Sequence, residues 1–103
     1  MLKNDIAGDI MDKQKLHKIT KKLAALRSKP NNIRSIELQR LAKSLGRRLF
    51  DRGHEPNYLS DLLPSRRPIS IPNHPGPMAR FTAENILDQL EQDIFDLEEI
   101  LEE

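Results

Sequence analysis

The sequence has no cysteine and no tryptophan, only four glycines and four aromatic residues, and not one lysine or arginine after Arg80. Without cysteine there is no disulfide scaffold and no thiolate metal site. With so few aromatics, a base-stacking platform for single strands is not expected on composition. No apolar run approaches the roughly 18–20 residues of a membrane-crossing helix. Lys3, Asp5 and Asp9 lie where a secretion signal would carry its apolar stretch, so residues 1–12 are expected to be a flexible leader and the protein cytoplasmic. At 103 residues the remainder suits one domain with one modest core.

What is present is charge, and it is divided along the chain. Seventeen bases against seven acids give +10 before Glu84, whereas nine acids and no base give −9 from Glu84 to Glu103. Such a division points to an anionic partner, RNA or DNA, for the body and a separate role for the tail.

Helical spacing appears first. Leu16, Ile19, Leu23 and Leu26 share one face of a helix over 13–28, ringed by Lys15, Lys18, Lys21 and Lys22 and capped by Asp12. Lys29-Pro30-Asn31-Asn32 stops it. A second helix, with Ser35 as N-cap and Glu37 in its first turn, buries Leu38, Leu41, Ala42 and Leu45 and ends at Gly46 in the left-handed region.

Extended spacing follows. Strands are expected over Arg47–Arg52, Asn57–Leu63 and Pro68–Ile71, with Ile69 and Ile71 on the buried face and prolines at the strand ends. A closing helix over 82–101, capped by Thr82, carries Ile86 and a seam of Leu87, Leu90, Ile94, Leu97 and Leu101. Its length exceeds what a three-stranded sheet covers. Leu97 and Leu101 are therefore expected to meet the first helix, a second copy in a homo-dimer, or another partner.

The order helix, three antiparallel strands, helix defines an α+β fold. Several stretches carry a resemblance to a known family: Leu41-Ala42-Lys43-Ser44-Leu45-Gly46 with the arginine-rich strand ending Arg52-Gly53, Pro68-Ile69-Ser70-Ile71-Pro72-Asn73-His74, and Thr82 to Leu87. Together they resemble the HicA toxins over roughly residues 13–90. The resemblance implies a double-stranded-RNA-binding-like α-β-β-β-α core over 35–90, with an extra N-terminal helix and a long acidic C-terminal helix, all in one domain spanning 13–103. It also implies a toxin of a type II toxin–antitoxin system that cleaves messenger RNA without cofactor and is held inactive by a HicB-like antitoxin. The alternative is a non-catalytic RNA-binding or protein-interaction relative.

The family's catalytic histidine lies in a Gly-Ser-His motif, and here the sequence reads Gly53-His54-Glu55-Pro56-Asn57-Tyr58. In the ungapped register Glu55 takes the histidine's place; with one residue deleted, His54 does. Phe81 stands where a glycine is usual. Metal-independent cleavage needs a group that takes the 2′-hydroxyl proton, one that protonates the leaving oxygen, and cations on the phosphorane. His54 and Glu55 are the catalytic candidates, and Arg47, Arg48, Arg52, Arg66 and Arg67 the RNA-binding candidates. His74 is expected to bond backbone and fix the strand exit. Three histidines at no ligand spacing argue against a metal site.

Overall fold

A computed structural model of the chain describes residues 11–51 and 56–102. Three helices and a three-stranded antiparallel sheet are found among the described residues: α1 (Lys13–Arg27), α2 (Ser35–Ser44), β1 (Arg47–Asp51), β2 (Pro56–Ser60), β3 (Ile69–Ser70) and α3 (Arg80–Glu102). No described helix is long and apolar enough to cross a membrane.

Helix α1 starts where the Asp12 carboxylate accepts the Lys15 N–H at 2.7 Å, which satisfies an otherwise orphaned helix donor. Met11, expected in the leader, is fully buried. Leu16, Ile19, Leu23 and Leu26 are all buried as their spacing requires, each contributing up to about 1.5–3 kcal/mol. At the head of α2 the N-cap is Arg34 rather than Ser35. The Arg34 N–H donates to Glu37 Oε1 at 3.0 Å, while the Ser35 hydroxyl is drawn away to Pro72 O at 2.6 Å. Gly46 follows α2 at φ +88°, a region that penalises any Cβ. An added Cβ there would also lie 2.7 Å from Leu62 Cδ1.

The sheet order is β1-β2-β3, with Leu49 opposite Tyr58 and Tyr58 opposite Ile69. Strand β3 is only two residues long, because Pro68 and Pro72 bracket it and cannot donate to a ladder. Ile71 N nonetheless donates to Pro56 O at 3.1 Å, holding the exit of β3 against the entry of β2. Helix α3 begins two residues before Thr82, its first turn closed by Ala83 N to Ala79 O at 3.0 Å.

At 23 residues α3 is about 34 Å long, enough to cross the sheet and continue beyond it. The overhang is covered by α1. Arg27 meets Asp88 and Glu91 at one end, and Lys13 and His17 lie with Leu101 and Glu102 at the other, so the two helices run antiparallel. Leu97 is 1% exposed and Leu101 partly buried within the single chain. The seam offered for a homo-dimer through Leu97 and Leu101 is therefore occupied by the chain's own first helix. Leu38, Leu41, Leu45, Ile69, Ile71, Ile86 and Leu90 are all in the core.

Candidate nucleic-acid interface

The acidic helix turns inward. Strand alternation aims Arg47 at α3, and there its guanidinium closes on Asp93, Nε to Oδ2 at 2.6 Å and Nη2 to Oδ1 at 3.0 Å. The remaining nitrogen, Nη1, donates to Tyr58 O at 2.8 Å and Arg67 O at 3.2 Å. Both side chains are essentially excluded from solvent, at 1% and 0% exposure. This corrects one sequence-based assignment: Arg47 is a strut between sheet and helix and presents nothing to a phosphate.

Its neighbours are partly engaged as well. Arg66 pairs with Asp96, Nε to Oδ2 at 2.8 Å with a second contact from Nη2. Arg48 forks onto Asp61 at 2.9 and 3.0 Å, an exposed pair worth at most about 1 kcal/mol. Arg67 is exposed and makes no ion pair among the described residues. Arg52, His54 and Glu55 lie outside the described residues. Tyr58 is a core residue. Burial pushes its phenol above its ordinary pKa.

Part of the division of charge closes within the molecule: Asp88, Glu91, Asp93 and Asp96 of α3 hold Arg27, Arg47 and Arg66 of the body. Other cations carry no ion pair: Lys18 and Lys22 on α1, and Arg40 and Lys43 on α2, are exposed and have none among the described residues. Lys22 and Arg40 line opposite sides of a groove of about 330 Å³ between the helices, floored by Ala25, Leu26 and Leu41. Lys29 and Glu37 bridge one end at 2.7 Å. Burial works to raise the Glu37 pKa, but the hydrogen bond from Lys29, the Arg34 N–H and the charges of both outweigh it, so the carboxyl sits below its ordinary value.

Sequence reasoning missed this surface. A lysine-rich helix face reads as solvated, and only the packing of α1 against α2 brings Lys22 and Arg40 to one groove. The available signal was the charge of 13–48, twelve bases against one acid, Glu37. His74 does bond backbone, its Nδ1 lying 3.0 Å from Gly76 O. No protein-family model, no curated protein and no solved structure matches the chain. Fold and site define a small α+β domain whose acidic helix is partly paired with arginines of the body and whose first two helices flank a groove with exposed cations.

Proposed function

We propose that this protein is an RNA-binding domain of HicA-like design, and that it grips the phosphate backbone through the α1–α2 face. The observation that carries the reading is the groove flanked by Lys22 and Arg40, with Lys18 one turn from Lys22 and Lys43 one turn from Arg40, all four without carboxylate partners among the described residues while the acidic helix engages cations elsewhere. Lysine and arginine on such a face neutralise phosphates and release counterions, which supplies affinity without sequence preference. The helix, three-strand, helix order is also that of the double-stranded-RNA-binding fold, with α1 as the additional element. Cleavage of messenger RNA by the segment holding His54 and Glu55, a cytoplasmic location and restraint by a HicB-like antitoxin extend the same reading.

Charge reversal at Lys22 and Arg40 tests it. The variant Lys22→Glu/Arg40→Glu should bind a short RNA on the order of tenfold more weakly at low salt, with circular dichroism unchanged. Arg66→Ala/Arg67→Ala should have the smaller effect, because Arg66 is already held by Asp96. Fluorescence anisotropy reads both. The reverse ranking would move the interface back to the sheet arginines.

A further inference from the structure

The turn that leaves β3 forms a second concavity, of about 340 Å³, against the far side of α2. Its lining is Ser35, Ile36, Gln39, Asn73, His74 and Pro75, with no lysine, arginine or carboxylate among them. It is thus chemically unlike the cationic groove.

Its two polar side chains on the turn are each fixed at one end and open at the other. Gln39, buried at 9% exposure, donates from Nε2 to Ser35 Oγ at 3.0 Å and to Asn73 Oδ1 at 2.8 Å. Ser35 is in turn anchored on Pro72 O. This chain fixes the Asn73 amide and leaves its Nδ2 donors without a partner among the described residues. His74 Nδ1 lies 3.0 Å from Gly76 O and 3.3 Å from Gly76 N, donating to the oxygen or accepting from the amide according to its tautomer, and the ring is exposed with no partner for Nε2 among the described residues. Ile36, 46% exposed, and Pro75 supply apolar surface beside them. Along α2, Ile36, Arg40 and Lys43 follow at spacings of four and three, so one helix face links this pocket to the phosphate-binding cations.

We propose that this pocket receives one unpaired nucleobase of the bound RNA. Asn73 Nδ2 donates to an acceptor on the base edge, the His74 ring stacks on the base or bonds it through Nε2, and Ile36 and Pro75 cover its apolar surface. Donors already oriented by the protein lose little freedom on binding, and unpaired bases are the part of RNA that side chains can read individually. The substrate class is therefore RNA with single-stranded character, not a continuous duplex. This inference rests on the RNA-binding reading above.

The test compares two strands of equal charge, a ten-nucleotide oligouridine and the same sugar–phosphate strand lacking its bases, with each protein titrated at fixed salt. Wild type should bind the uridine strand about tenfold more tightly, in line with what a base contact supplies. Asn73→Ala/His74→Ala should erase that preference while keeping its affinity for the abasic strand and its salt dependence. Ile36→Lys, at an exposed position, provides a second variant that should reduce the preference without disturbing the Gln39 network. Equal binding of the two strands by wild type, or a preference that survives both variants, overturns the base pocket and leaves the phosphate reading standing. Binding of neither strand at low salt overturns both.

Discussion

Asp93→Ala should destabilise the protein by about 3–5 kcal/mol, the cost of leaving one partner of a buried ion pair without the other. The stranded charge would be Arg47, whose side chain is 1% exposed and cannot reach water without opening the interface between sheet and helix. For a domain whose total stability is typically about 5–15 kcal/mol, that is a large fraction. Urea unfolding measures it as a lower midpoint at unchanged slope. Arg47→Met/Asp93→Leu should recover part of the loss, since apolar groups can replace a buried pair at little net cost. Recovery stays partial, because Tyr58 O and Arg67 O would each lose the donor that Arg47 Nη1 supplies. A loss below about 1 kcal/mol for Asp93→Ala would show the pair to be far more solvated than its geometry.

His54→Ala should lower RNA cleavage by about 10²–10⁴-fold, the usual contribution of a general acid or base. The expectation comes from the sequence, where His54 adjoins Gly53 in the stretch that resembles the Gly-Ser-His motif and Arg52 stands two residues before it. Induced wild-type protein should slow growth and degrade transcripts, and His54→Ala should abolish both with folding intact. If Glu55→Gln removes activity and His54→Ala does not, the ungapped register holds and a carboxylate has taken the histidine's place. A one-residue slip in an extended segment turns the side chain to the opposite face, so the two variants cannot substitute for one another. Harmless wild-type protein that leaves RNA intact would favour the non-catalytic alternative, an RNA-binding or protein-interaction domain.

Local periodicity carried most of the fold. The stripe from Leu16 to Leu26, the turn at Gly46 and the alternation of Ile69 and Ile71 each depend on near neighbours in sequence, and each appears as expected. What depended on distant contacts was not legible. Ser35 looked like an N-cap until Pro72 O, 37 residues away, claimed its hydroxyl. Arg47 looked like a strand cation until Asp93, 46 residues away, enclosed it.

A clue to the second case was nevertheless present. Ile86, Asp93 and Ile100 recur every seven residues beside the Leu87–Leu101 seam, which puts a lone acid on a stripe that packs inward. An acid there requires a buried cation, and Arg47 is the one that meets it. For the cationic face the sequence showed only the excess of base over 13–48 and not the pairing, because Lys22 and Arg40 become neighbours only through the packing of α1 on α2.

RNA binding by the α1–α2 face is read from the salt dependence of affinity in wild type and in Lys18→Gln/Lys22→Gln/Arg40→Gln/Lys43→Gln. Each phosphate contact on a single strand contributes about −0.7 to the slope of log affinity against log salt. Four contacts from the α1–α2 face predict a wild-type slope near −3, roughly, and a nearly flat line for the fourfold variant. A wild-type affinity that does not change with salt, or a steep slope that the fourfold variant retains, would rule out phosphate binding by the α1–α2 face.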